Sequence, residues 1–174
     1  MKINKEILLI ILNILIIFTC IFLFVKKFAQ EKNYDPLKYG DTAPAYLPLE
    51  FINNGAMDTE KSYNSILLFF NDQLLDQVQG ISDYFETAPF MKNVKIIGIY
   101  ADKKGKSRLT LLNSFSFPVY HDTDFTVTKK FRVDPLRQNG ATIIIDKHNM
   151  VIFSLQHIAG AELIKQFILT HFCI

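Results

Sequence analysis

The amino-acid sequence predicts an α/β domain, a central mixed β-sheet flanked by helices on both faces, preceded by one N-terminal transmembrane helix. Three observations carry this reading. Residues 7–25 form a long uncharged apolar run. Two short apolar runs, Ser65 to Phe70 and the stretch "NVKIIGIY", are each followed by a polar loop and a segment with helical spacing. The chain then ends with two apolar runs around a polar turn and a final amphipathic stretch.

The anchor comes first. "ILLIILNILIIFTCIFLFV" carries no charge and only Asn13, Thr19 and Cys20 as weak polar interruptions. As a helix it is about 28 Å long at about 1.5 Å per residue, matching a hydrocarbon core of about 30 Å. It is longer than an ordinary signal-peptide core and ends in Lys26-Lys27 without a small-x-small cleavage site, so an uncleaved span is expected. Lysines flank it two against two, which leaves its direction undecided by charge alone. Domain organisation follows: an anchor over residues 1–27, a polar linker punctuated by Pro36 over 28–39, and a globular domain over 40–174.

Within that domain, "AYLPLEFINNG" alternates and ends at Asn54-Gly55, a hairpin-turn pair, so it reads as a first hairpin strand. Ser65 to Phe70 suits a strand buried on both faces. After it, Leu74, Val78, Ile81 and Phe85 recur at helical spacing, with Asp72 placed to cap the first turn. Pro89 marks a break before the next buried strand, and Arg108 to Phe115 gives a short helical pattern. "FPVYHD" reads as a strand, "FTVTKKFRV" as a helix, and "ATIIIDKHNMVIFSL" as two strands joined at Lys147-His148-Asn149. In "GAELIKQFILTHF", Leu163, Phe167 and Ile168 are expected to share one face of a last helix.

Composition narrows the function. The formal charge of +2 comes from the first 27 residues; without them the chain is near neutral and slightly acidic, so no nucleic-acid partner is expected. The basic stretch Lys103 to Arg108 reads as a solvated loop. Sixteen Phe and no Trp are explained by a Phe-filled core without a ligand. "HDTD", His121 to Asp124, could be imagined around a metal, but neighbouring residues on a strand point to opposite faces, and Asp and Thr cap and turn for backbone reasons. No metal site is therefore expected, nor any cofactor, since no phosphate-binding glycine loop and no G-x-S-x-G elbow is present. Only two cysteines exist, Cys20 within the expected span and Cys173 beside the C-terminus. Neither has a C-x-x-C or zinc-ligand spacing, and an intramolecular disulfide between them is excluded.

Five stretches in order, "GDTAPAYLP", "SILLFF", "VKIIGIYAD", "FPVYHDTDFTVTKKFRV" and "GATIIIDKHNMVI", resemble the thioredoxin-like superfamily. Within it they resemble the membrane-tethered redoxins that include bacterial thiol-disulfide oxidoreductases of cytochrome maturation. The resemblance covers roughly residues 40 to 170, the size of one domain. It implies a redox centre in the turn after the buried strand, where a helix N-terminus lowers the pKa of a thiol. This chain departs from that pattern. Leu74 and Gln77 lie nearest the two cysteine positions, and Asp72 and Asp76 flank the turn with charge that opposes a thiolate. The family's cis-proline falls at or near Gly140, preceded by Asn139. A cis bond before a non-proline costs about 2.5–4 kcal/mol, so a trans peptide and a different groove are expected.

With the expected anchor, these departures imply a membrane-anchored, redox-degenerate domain that binds a protein partner, and the resemblance to tethered redoxins implies that it does so at the extracytoplasmic face of a bacterial membrane. Its expected binding surface is Asn71, Asp72, Gln73, Leu74 and Gln77 with Arg137, Gln138, Asn139 and Gly140, because ligands of this architecture sit at the ends of parallel strands. The alternative is an atypical thiol-disulfide oxidoreductase or peroxiredoxin-like protein working through Cys173 or a partner's cysteine. Cys173, in a terminal tail without an evident activating group, is the candidate thiol.

Overall fold

The computed structural model describes residues 5–31, 35–44, 50–51, 63–86, 94–102, 109–134 and 139–172. The chain divides into two compact units, Met1–Asp35 and Pro36–Ile174. The first holds helix α1, Lys5–Glu31. It runs four residues past the expected anchor boundary at residue 27, because nothing in "KKFAQE" breaks a helix. Side chains are described for its residues 12–26, and the apolar ones are exposed around its circumference. Among the described residues no helix is long and apolar enough to cross a membrane. A helix thus forms where the span was expected.

The second unit is built on a six-stranded mixed sheet. Its elements are β1 (Glu50–Phe51), β2 (Asn64–Phe70), α2 (Leu75–Phe85), β3 (Val94–Tyr100), α3 (Leu109–Leu112), β4 (Val119–His121), α4 (Thr126–Lys130), β5 (Ala141–Ile145), β6 (Val151–Leu155) and α5 (Ala161–His171). The strand order is β1-β4-β3-β2-β5-β6, with β2, β3 and β4 parallel and the other pairings antiparallel. The described part of β1 pairs with β4, Glu50 opposite His121. The remainder of the hairpin expected at Asn54-Gly55 lies outside the described residues.

Strands β2 and β3 are buried on both faces, which explains their unbroken apolar runs. Ile66, Leu68 and Phe70 meet α2 and α5 through Val78, Ile81, Phe85, Ile164 and Ile168. Leu67, Phe69 and Ile143 form the other face with Val127 of α4, Phe131 just after it, and Leu37 and Ala43. Leu37 and Ala43 are held there because residues 40–43 run along the start of β6: Gly40 N donates to Val151 O and Val151 N to Asp41 O, each at 2.8 Å. Leu163 is exposed, and the core-facing side of α5 runs instead through Ile164 and Ile168.

Helices α2 and α5 are also joined at the surface. Tyr84 donates its hydroxyl to Glu162 at 2.5 Å and accepts from Lys165 at 3.0 Å. The Tyr84 bond lowers the pKa of Glu162 and raises that of Lys165. In exposed groups this pins a geometry more than it adds stability.

Candidate functional site

The carboxyl ends of the three parallel strands come into line at Phe70, Tyr100 and His121, which are register partners across β2, β3 and β4. The chain leaves β2 through Asn71, in an extended conformation, and its side-chain oxygen accepts from Gln73 N at 3.0 Å. Asn71, not Asp72, therefore caps the start. A 3-10 turn, Asp72–Leu74, intervenes before α2, so Asp72 is already inside the turn and its carboxylate is aimed at β3. There it accepts the hydroxyl of Tyr100, with Asp102 Oδ2 at 3.3 Å from the same hydroxyl.

Burial, then the charge and bonding of Asp72 and Asp102, hold the Tyr100 proton far above the usual phenol range. The phenol is thus a fixed hydrogen-bond donor rather than a proton carrier. It locks the turn to the end of β3.

Leu74 is half-buried and packs against the apolar face beneath α2. Gly140 stands opposite it at φ +63°; a Cβ on Gly140 would lie 2.8 Å from Leu74 Cδ1 and 3.1 Å from Ile158 Cδ1. Gln77 Nε2 donates to Ile158 O at 3.2 Å, and Ile158 N donates to Asn139 O at 2.9 Å. Leu74, Gln77, Asn139 and Gly140 therefore meet around one residue, Ile158. Nothing in the spacing of the sequence points to Ile158, which lies more than 80 residues after Leu74. On the other side of Gly140 a narrow cleft is lined by Asn71, Ala101, Thr128, Val133 and Asp134. Gln73 is exposed on the turn. Arg137, Gln138 and Cys173 lie outside the described residues.

The residues of "HDTD" go to separate partners. His121 Nε2 lies 3.0 Å from Asp102 O, Asp122 turns into the start of α4, and Asp124 accepts from Thr126 N and Oγ1 at 3.0 and 2.6 Å. Those two Thr126 bonds lower the pKa of Asp124. A cavity of about 680 Å³ lies at the other end of the sheet, among Tyr39, Asn64, Asp146, Lys147, His148 and His171. Part of its polar lining serves the β5–β6 turn: Asp146 Oδ1 accepts from His148 N and Met150 N, and Asn64 Oδ1 from Lys147 N.

The sequence matches no family model and no curated protein. Solved structures do match. Peroxiredoxin Q from Xanthomonas campestris superimposes with a TM-score of 0.59 at 16% identity, over 78% of this chain and 96% of that one. A Chlorobium tepidum protein described as the thiol:disulfide interchange protein DsbE gives 0.57 at 16%, over 77% and 97%. StoA from Bacillus subtilis gives 0.52 at 15%, over 71% and 98%. The fold is thioredoxin-like. At such identities the likeness extends to the backbone and not to the site residues.

On this thioredoxin-like frame the turn after β2 has a definite electrostatic character. A thiol introduced by Leu74→Cys is expected to titrate at or above its ordinary pKa of about 8.5. Asp72 and Asp76 flank it, and the half-buried site disfavours the anion. The pH dependence of alkylation at that position, followed by peptide mass spectrometry, measures this. A value below ~7 would show that the helix end outweighs the two carboxylates.

Proposed function

We propose that this chain is a membrane-tethered thioredoxin-like protein that has given up thiol chemistry at the end of its sheet and uses that end to hold a protein partner. The observation that carries the reading is the packing of Leu74. An apolar side chain occupies the turn, is matched to Gly140 and Ile158, and is locked from the other side by the Asp72 to Tyr100 bond. No cysteine lies between residues 21 and 172. A half-exposed leucine ringed by Asn71, Gln73 and Gln77 suits a protein contact with an apolar centre and a polar rim.

Membrane tethering is supported by the uncharged run 7–25 and by α1, where Phe18, Phe22 and Phe24 are 70%, 67% and 65% exposed. A helix apolar on all sides needs an apolar surrounding. The resemblance to the tethered redoxins supports an extracytoplasmic position for the domain, at a bacterial membrane.

The test has two arms on the full-length protein. Insulin reduction and peroxide consumption are expected to show no turnover, with or without Cys173→Ser. Leu74→Glu is expected to release whatever protein co-purifies with the wild-type chain from membranes. Turnover that disappears with Cys173→Ser would overturn the reading in favour of an atypical oxidoreductase or peroxiredoxin-like protein using its terminal thiol. Co-purification unchanged by Leu74→Glu would place the binding surface elsewhere.

A further inference from the structure

The apolar helix α1 contains three polar side chains between residues 7 and 25, and they differ in what they require. Thr19 satisfies itself: its Oγ1 donates to Leu15 O, one turn back, at 2.8 Å. Cys20 is exposed, and its thiol is only a weak donor. Asn13 is exposed and has no hydrogen-bond partner among the described residues. Its amide carries both a carbonyl acceptor and two N–H donors, and a hydrocarbon surrounding offers none of them a partner.

We infer that α1 associates with a second copy of itself in the membrane, with Asn13 pairing to Asn13 across a parallel two-helix seam. This rests on the tether reading above. An amide is self-complementary, so two copies of one residue at one depth satisfy each other, whereas a lone hydroxyl or carboxylate on a different helix would have to match Asn13 in both position and polarity. The surrounding pattern fits. Asn13, Ile16, Cys20 and Leu23 follow the alternating three- and four-residue steps of a heptad seam, with Asn13 and Cys20 seven residues apart on one face. A single polar Asn at such a position fixes register and favours a parallel pair. Parallel register in turn brings the two Cys20 side chains to the seam two turns along, about 10.5 Å from the Asn13 level. Thr19 lies off that face, as its internal bond allows.

The experiment uses full-length protein in native membranes, carrying Cys173→Ser so that Cys20 is the remaining thiol, with copper-phenanthroline as oxidant. A disulfide-linked homodimer is expected, abolished by Cys20→Ser. Adding Asn13→Leu, which keeps the helix apolar, is expected to weaken association ~5- to 30-fold. Asn13→Gln should retain cross-linking and Thr19→Val should leave it unchanged. Alkaline carbonate extraction of the same membranes separates the two ideas. Protein that stays in the membrane pellet but fails to cross-link, cross-links equally with Asn13→Leu, or links only to a different protein, overturns self-association and leaves the tether reading intact. Protein released by carbonate overturns both.

Discussion

Gly140→Ala is expected to destabilise the domain by about 3–4 kcal/mol and to lower its melting temperature by about 10 °C. Two independent penalties act at this position. The backbone is at φ +63°, where an L side chain costs about 1–2 kcal/mol. The added Cβ would also sit 2.3 Å from the carbonyl oxygen of Phe69. That oxygen belongs to β2, the central strand paired on both sides, so it cannot withdraw as a flexible side chain would. Leu74 and Ile158 close the remaining directions at 2.8 and 3.1 Å. Gly140→Pro should be worse, since the ring fixes φ near −65° against the observed +63°. Gly80→Ala is the control: Gly80 lies inside α2 with no atom near the position a Cβ would take, and the change should be neutral or stabilising by up to ~1 kcal/mol. Thermal denaturation of the three variants decides it. Melting of Gly140→Ala within ~2 °C of the wild type would mean that β2 and β5 readily shift, and that the tight junction of Gly140 with Leu74 is not a fixed feature.

The same junction shows what the sequence could and could not reveal. Strands β2 and β3 were legible because burial on both faces leaves an uninterrupted apolar run. The phase of α2 was legible at Val78, Ile81 and Phe85, but its start was not. The intervening 3-10 turn advances the chain differently, puts Leu75 rather than Leu74 fully in the core, and moves the cap back to Asn71. In α5 the residues Leu163, Ile164, Phe167 and Ile168 satisfy two overlapping helical stripes, and only tertiary packing in the core shared with β2 and α2 selects the one through Ile164. Pairing of β1 with β4 joins Glu50 to His121 and Phe51 to Tyr120, far apart in the chain, whereas the Asn54-Gly55 signal speaks only of its neighbours. At the site, the sequence located the turn by the residue types it lacks. The contacts that define it, Tyr100 to Asp72 and Gln77 to Ile158, join residues 28 and 81 positions apart and exist only once the sheet is assembled.

Asp122→Ala is expected to cost a similar amount, about 3–4 kcal/mol, for a different reason. Asp122 is fully buried, and its carboxylate accepts from Val127 N at 3.2 Å, Thr128 N at 2.7 Å and Thr128 Oγ1 at 2.5 Å. Alanine would strand these three donors, each worth about 1–3 kcal/mol when buried without a partner, though neighbouring losses do not simply add. Apart from the exposed Asp124, which accepts from Thr126 N at 3.0 Å, helix α4 has little else to start it. It is five residues long, contains two β-branched threonines and a valine, and begins from Phe125 at φ 59°. Its purpose in the fold is to carry Val127 and Phe131 onto the sheet, where the Phe131 ring lies 5.3 Å from that of Phe69. Loss of the Asp122 carboxylate should therefore loosen one whole face of the core, and Phe69 is the residue whose carbonyl faces Gly140. Asp122→Asn keeps the shape but turns an amide toward donors, so about half the effect is expected. Asp124→Ala, which removes only the exposed bonds to Thr126, should lower the melting temperature far less, by about 3 °C. If Asp122→Ala and Asp124→Ala melt together, the buried carboxylate is not what holds α4 to the sheet.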